Sequence, residues 1–534
     1  MPDTIPALLR HAAAQYPDRE FLRFPAADSP TFPDADPPAL ADADSPTFAD
    51  VDSPTFPAAG SLTFADVDER AGHLAAALVE RGVRPGDRVA IMMDNVPYWP
   101  LSWFAVLRAG AIAVPVNVRY RAADLEHVLH DSGAVALLTT AEHVPRLSGA
   151  VAGVPGVAVY AVDAFGPGGS PPPDISPGAD DIANFQYTSG TTGFPKACLL
   201  THDYWLRTAR VVADLVKPGP GDVFVIAQPY SYMDPQWTTL FCLMSGIPHV
   251  VLPRFSASGF WAAAREHGAT LTYVLGTMPL LLYKQPPHPH DRDNRMRLVL
   301  CSGIAPDLHR AFEERWGAPW RELYGSTESG PDLLVAPDDT DCVGTGAMGY
   351  PPPGKEVELD PETGEILVRG VPMMKGYWNH PEATAHALRG GWYHTGDLGR
   401  RDARGSIRHA GRLKDMVRRG GENISCAEVE RVLAGHPAVL SAALVPIPDE
   451  LFGELPKAFI QLRPGHEQGA DTALSVIEHA RQRLAPFKIP ANVEFVDGFE
   501  LTPSARIEKR HLLHPERDQR AGAIAVEHQG REQR

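Results

Sequence analysis

No apolar run in the 534 residues reaches the roughly eighteen needed to cross a bilayer as a helix, so no helical membrane span is expected. The opening MPDTIPALLRHAAAQYPDRE has early acids and lacks the long apolar core of a secretory signal. Cysteine is scarce. Cys198, Cys242, Cys301, Cys342 and Cys426 are scattered and form no C-x-x-C pair, which argues against a disulfide framework and a zinc site. Reduced thiols in a soluble, cytoplasmic protein are the expectation. Positive charge is short too: 49 Lys and Arg face 66 Asp and Glu, a formal net charge of −17. That balance disfavours nucleic acid or an anionic membrane as partner, while leaving room for local basic sites that hold phosphate. Apolar residues, at 44%, are plentiful enough to build a large interior, and the length calls for two or more domains.

The helix pattern of Ile5 to Tyr16 is expected to pack on the outside of a large domain. Next comes a tandem repeat, with DSPTF at Asp28, Asp44 and Asp52 and FADVD at Phe48 and Phe64. This Pro- and Asp-rich text cannot readily bury a core, so residues 25–60 are expected to form a solvated, disordered insertion. From Thr63 the chain becomes regular. ADVDERAGHLAAALVERG reads as a helix ending at Gly82, DRVAIMM as a buried strand, PYWPLSWFAVLRAG as a helix and AIAVPVN as a strand. The alternation continues through AVALLTT, VFVIAQP, HVVLP, LTYVLG and MRLVLCSG, which predicts parallel sheets covered by helices. After Asp397 the text turns to charged, hairpin-like sequence and then to a compact α+β unit of small-domain size. The last residues, 515–534, are polar and expected to fray.

One stretch carries the clearest chemistry. YTSGTTGFPKACLLTH, Tyr187 to His202, gathers Thr188, Ser189, Thr191 and Thr192 around Gly190 and Gly193 and follows Pro195 with Lys196. Glycines let backbone N–H groups approach phosphate oxygens, hydroxyls add neutral donors and the lysine adds a compact positive charge. The spacing is not that of the P-loop G-x-x-x-x-G-K-S/T. A plain Ser/Thr/Gly linker would look similar, but the apolar IANFQY and CLL flanks favour an anion-wrapping loop between strands.

With four later segments, this stretch resembles the adenylate-forming superfamily of acyl-CoA synthetases, firefly luciferases and peptide-synthetase adenylation domains, the AMP-dependent synthetase and ligase family. The segments are YGSTESG at Tyr324 to Gly330, YHTGDLG at Tyr393 to Gly399, GRLKDMVRRGGENISCAEVE at Gly411 to Glu430 and TPSARIEKRHL at Thr502 to Leu512, in family order from about residue 60 to 512. The resemblance implies α/β architecture: a large N-terminal domain of parallel-rich sheets covered by helices (61–412, with 1–24 adding its N-terminal helix) and a small mobile C-terminal α+β domain (413–514). It implies that Thr188 to Lys196 cradles the β- and γ-phosphates of ATP, that Tyr324 lies against adenine with Gly325 also in the ATP site, that Thr327 meets the α-phosphate and that Glu328 holds Mg2+. A glutamate suits that hard cation. Asp397 and Arg412 would bind the ribose, although an Asp in a TGDLG turn is often only a turn residue. Lys414 falls at the hinge. Gly420, Gly421 and Glu422 would line the path of CoA, or equally form a tight turn before a helix.

Two departures stand out. Where the family carries a lysine that meets the reacting carboxylate and α-phosphate, this chain has Arg506, whose planar fork is no simple replacement for a point charge. Lys509, three residues on, could substitute only if the loop shifts. A retuned first step or a changed acid is expected. The acid-pocket segment, with Gly303, reads Tyr230, Tyr232, Asp234 and Trp237, and Tyr232 stands where many relatives carry histidine. Asp234 is foreign to a fatty-acyl tunnel. It pairs with a substrate amino group or faces solvent. His249, Cys242 and Cys301 are expected to be packed. The expected activity is ATP- and Mg2+-dependent adenylation of a small or aromatic acid with release of pyrophosphate, then ligation to CoA. Two alternatives stay open at this stage: adenylation of another oxyacid such as nitrite with transfer to an amine, and a non-catalytic nucleotide-binding protein. Retention of Lys196, Glu328, Asp397 and Arg412 counts against the second.

Overall fold

A computed structural model describes residues 2–26, 60–120, 122–165, 175–188, 195–413, 415–419, 422–449, 452–501, 507–509, 512 and 523–525. Nearly all of the 25–60 insertion lies outside the described residues, as do Ser189 to Gly193, Lys414, Gly420, Gly421, Arg506 and most of the tail.

Local signals place the first helices. Thr63 Oγ1 accepts from the Asp66 N–H at 3.0 Å, and the Asp66 carboxylate accepts from the Thr63 N–H at 2.9 Å. This reciprocal pair starts the helix Phe64–Glu80, which buries Phe64, Val67, Ala71, Ala75 and Leu78 at helical spacing. Pro6 stands in the first turn of Ile5–Gln15, where its missing N–H costs nothing, and the helix buries Ile5, Leu8, Leu9 and Ala12.

Strands with little polar alternation are buried on both faces and pair in parallel. A six-stranded sheet runs Ala158–Ala161, Ala134–Thr139, Arg88–Ile91, Ile112–Pro115, Ile182–Thr188, Lys196–Thr201, parallel except for the last pairing. An eight-stranded sheet runs Gly330–Leu334, Trp320–Ser326, Leu298–Ser302, Leu271–Leu275, Phe224–Ile226, His249–Val251, Glu20–Phe24, Gly60–Thr63. Its inner strands are parallel and each edge is turned antiparallel by a neighbour in sequence or by the return after the 27–59 segment. Each sheet thus ends in an antiparallel edge that carries one of the expected nucleotide motifs. The α/β class read from the sequence is the observed one.

The chain divides into two units, Met1–Thr345 with Gly349–Glu356 and Val368–Tyr393, and Gly346–Met348 with Val357–Leu367 and His394–Arg534. The long continuous stretch of the second starts at His394, ahead of the 413 boundary expected from the motifs. Its core gathers Val417, Ile424, Val429, Leu433, Leu444, Ile460, Val476 and Ile477. Val439–Asp449 and Gly453–Leu462 form its long antiparallel pair. Ile524–Ala525, inside the tail expected to fray, pairs with Asn492 and Val493 as a further strand. No helix among the described residues is long and apolar enough to cross a membrane.

Candidate active site

Thr188 and Lys196 face each other across the antiparallel pairing of Ile182–Thr188 with Lys196–Thr201, and Thr188 is the carboxyl end of a strand that runs parallel to its other neighbour, Ile112–Pro115. That is where ligands of open α/β sheets bind. Segment 375–378 runs along the outer side of Lys196–Thr201. Leu199 N donates to Gly376 O, Lys375 N to Leu199 O and Trp378 N to Ala197 O, each at 2.9 Å. The pairing delivers Tyr377, a residue no motif singled out. The Lys196 ammonium lies 5.1 Å from the centre of its ring, and its hydroxyl donates to Glu328 Oε1 at 2.9 Å. Burial pushes the phenol well above its ordinary pKa and the Glu328 charge adds to the rise, so Tyr377 stays a donor. Burial, with Glu328 second, likewise raises the thiol of Cys198, which is packed and inert.

The YGSTESG motif is a hairpin. Trp320–Ser326 returns as Gly330–Leu334 with Ser326 opposite Gly330 and an irregularity between Tyr324 and Gly325. A side chain at Gly325 would place its Cβ 2.1 Å from the Gly330 carbonyl oxygen, so only glycine allows the approach. Three successive carbonyls of the turn are anchored. Tyr204, from helix His202–Val216, donates its hydroxyl to Thr327 O at 2.8 Å, and Met374 N donates to Glu328 O at 2.7 Å. The Lys355 ammonium donates to Ser329 O, and to Pro372 O at 2.6 Å. Its counter-ion is Asp332, 3.0 Å away, and neither side chain is exposed. Burial pushes Lys355 down and Asp332 up from their ordinary values, each opposed by the partner's charge. The fixed turn presents Glu328 as an oriented carboxylate, a hard oxygen ligand of the kind that would suit Mg2+.

The residues expected to form the acid pocket differ in their surroundings. Tyr230 is a core residue, 1% exposed, stacked on Trp99 at 4.7 Å with its hydroxyl 2.9 Å from Thr239 Oγ1. Trp237 is 4% exposed and packs edge-on against Phe224 and Tyr273. Tyr232 is half-buried and its hydroxyl oxygen accepts from Asn117 Nδ2 at 2.9 Å. Asp234 is half-buried in the first turn of Met233–Ser245, where its charge raises the phenol pKa of Tyr273 and, more weakly, of Tyr232, on top of the larger effect of burial. Tyr273 lies 2.8 Å from Ser302 Oγ, which in turn donates to Leu323 O. Gly303, at φ +93°, has open space where a side chain would point, and the Gly303 and Ile304 N–H groups bond to Glu322 at 2.6 and 2.9 Å. An amide network fixes this wall: Asn184 to Gln236 at 2.6 Å, Gln236 to Gln186 at 3.2 Å and to Tyr232 O at 2.9 Å, and Gln186 to Ser231 O at 2.8 Å. His249, Cys242 and Cys301 are fully buried, as expected.

In the second unit, Asp397 and Arg412 are register partners on paired strands, with Arg412 Nε 2.7 Å from Asp397 Oδ1 and His409 Nε2 at 3.6 Å. Asp397 is held from behind by Thr395 Oγ1, which accepts its N–H at 3.0 Å. Lys509 is already engaged, with Asp415 Oδ1 at 2.6 Å and Glu430 Oε1 at 2.7 Å. Burial alone would lower its pKa, but the two acids reverse that and the net shift is upward. So held, the Lys509 ammonium is engaged by two carboxylates. Glu422 starts the strand Glu422–Ser425, paired with Met416–Arg419.

Comparison with known proteins gives two matches to family models: AMP-binding enzyme over residues 9–378 and AMP-binding enzyme C-terminal domain over 428–506. A feruloyl-CoA synthase of Amycolatopsis sp. is 35% identical over 466 residues, 84% of this chain and 93% of that one. A crotonobetaine/carnitine–CoA ligase of Salmonella arizonae is 30% identical, covering 84% and 92%. Among solved structures, o-succinylbenzoate CoA synthetase of Bacillus subtilis with its acyl-adenylate intermediate has a TM-score of 0.79 at 26% identity, covering 95% of this chain and 98% of that one. The same enzyme with ATP and magnesium ion has a TM-score of 0.77 at 26% identity, covering 94% and 98%.

Proposed function

The chain belongs to the AMP-binding enzyme family, and from that premise we propose that it is an AMP-forming ligase that activates an aromatic carboxylic acid and passes the acyl group to CoA. One observation carries the reading: the Tyr377 phenol links the two motifs, its ring face beside the Lys196 ammonium and its hydroxyl on the Glu328 carboxylate. The feruloyl-CoA synthase and the o-succinylbenzoate synthetase support an aromatic acid. The polar group of Asp234, Tyr273 and Ser302 suits a ring bearing hydroxyl or amino substituents better than a long alkyl chain.

In the first half-reaction a carboxylate oxygen of the acid bonds to the α-phosphorus of ATP and pyrophosphate leaves. In the second the CoA sulfur bonds to the acyl carbon, its proton is released and AMP leaves. Mg2+, when bound at Glu328, supplies charge neutralisation for the phosphates. Lys196 and the donors of residues 188–193 hold the β- and γ-phosphates, and Thr327 meets the α-phosphate. Tyr324 lies against the adenine with Gly325 also in the ATP site, and Asp397 and Arg412 take the ribose. Arg506 brings positive charge to the acid carboxylate, Lys414 is the hinge, and Gly420, Gly421 and Glu422 line the CoA path.

The test is AMP formation from MgATP with ferulate, o-succinylbenzoate, anthranilate and a long-chain fatty acid, each with and without CoA, with products read by mass. Aromatic acyl-CoA masses with stoichiometric AMP are expected. AMP formed only with the fatty acid, or with no CoA thioester from any acid, would overturn the proposal.

A further inference from the structure

The Lys355 ammonium donates to Ser329 O and Pro372 O, and the Asp332 Oδ1 oxygen lies 3.0 Å away as its counter-charge. Neither Lys355 nor Asp332 shows any side-chain surface. Burying such a pair is a poor route to stability, because apolar residues of similar size usually do as well or better. Apolar residues cannot, however, grip two carbonyl oxygens from separate segments. The two that Lys355 grips flank the anchors of Glu328: Ser329 follows Glu328 directly, and Pro372 lies two residues before Met374, whose N–H holds the Glu328 carbonyl. Ser329 is tied again by its hydroxyl, which bonds to Asp332 Oδ2 and lies 2.9 Å from Ser326 Oγ.

We infer that Lys355 is a positioning residue: by clamping Ser329 O to Pro372 O, with Asp332 as counter-ion, it sets the Glu328 carboxylate for its cation. The inference rests on the reading of Glu328 as the metal ligand. Lys355 itself touches neither nucleotide nor acid. Its removal is therefore expected to weaken metal binding while leaving the nucleotide's own contacts in place.

The test uses Mn2+ as probe, titrated in the presence of β,γ-imido-ATP and read by electron paramagnetic resonance, with metal-free nucleotide affinity measured in EDTA. K355M/D332V replaces the pair by apolar side chains of like size. Two buried carbonyls lose their donor, so its thermal midpoint is expected to fall, though no further than that of D332N, while Mn2+ affinity falls about tenfold or more and metal-free nucleotide affinity changes less than about twofold. D332N keeps both carbonyl contacts of Lys355 and is expected to lower the midpoint while holding Mn2+ affinity within about threefold. Wild-type Mn2+ affinity in the double variant overturns the inference, as does a loss that follows the thermal midpoint in both variants. If the double variant does not fold, D332N decides: affinity kept at a lowered midpoint supports the clamp, and affinity lost in step with it overturns the clamp. A wild type that binds nucleotide but no Mn2+ removes the metal reading of Glu328, and the inference with it.

Discussion

Tyr377 joins two interactions that substitution can separate. Phenylalanine keeps the ring face beside Lys196 and loses only the hydroxyl to Glu328. A hydrogen bond to a charged group is worth about 1.5–3 kcal/mol, so Tyr377→Phe should lower kcat/KM for acid-dependent pyrophosphate release by roughly ten- to hundredfold. Tyr377→Leu removes the ring as well and should cost more. Equal losses in the two variants would show that the ring face contributes nothing to Lys196. Asp234 is tested by selectivity. Asp234→Asn removes the charge beside Tyr273 and should change the ranking of anthranilate, ferulate and unsubstituted benzoate by kcat/KM, with KM for MgATP unchanged. A uniform shift across the three acids would place Asp234 outside the acid pocket.

At the scale of elements, the helices and strands were legible because each carries its own local signal. The Thr63 and Asp66 capping pair and the short apolar runs of Arg88–Ile91 and Leu298–Ser302 needed no distant partner. The motif order likewise singled out Lys196 and Glu328, which Tyr377 links. What holds those residues in place was not legible, since it depends on chain segments far apart in sequence: Tyr204 on Thr327, residues 375–378 along Lys196–Thr201, and Gln236 between Gln186 and Tyr232. One cue was available for Lys355. In KEVEL the strand alternation puts Lys355 on the same face as buried Val357, so a charge was aimed inward from the start. The burial of Tyr230 and Trp237 was not legible for the same reason: an aromatic beside a motif reads the same whether it lines a pocket or backs it. The Glu328 hairpin is itself open to test. Gly325→Ala drives a Cβ against the Gly330 carbonyl and must spread the turn. The cost to stability is expected at roughly 1–3 kcal/mol by urea titration, with adenylation reduced beyond what the unfolded fraction explains. An active variant of unchanged stability would mean that the two strands do not approach this closely.

The whole molecule responds to acid through histidines buried without charge. His249 is fully buried and burial pushes its pKa down to about 3, while His202 is pushed down to about 4, burial outweighing the nearby Asp181 and Asp3. Both belong to the first unit, and both are held near 6.5 only when unfolded. Between those values the unfolded chain binds more protons than the folded one, so stability rises with pH and falls as pH drops from about 6.5 toward 4. At pH 5 each histidine should cost about 2 kcal/mol relative to pH 7.5, from 1.36 kcal/mol per unit over about 1.5 units. His202 adds a structural consequence, because its Nδ1 accepts the Ile5 N–H at 3.4 Å and so ties down the start of Ile5–Gln15. Protonation removes that acceptor, and the N-terminal helix should lose hydrogen-exchange protection in acid ahead of the Phe64–Glu80 helix. Among the described residues His249 Nδ1 meets only the Thr239 hydroxyl, at 3.3 Å, so leucine should fit with modest loss at neutral pH. His249→Leu is therefore expected to remove about half of the acid-induced destabilisation seen in urea titrations at pH 7.5 and 5. An unaltered pH dependence in that variant would show that His249 gains its proton without unfolding, and that the acid sensitivity of the first unit lies elsewhere.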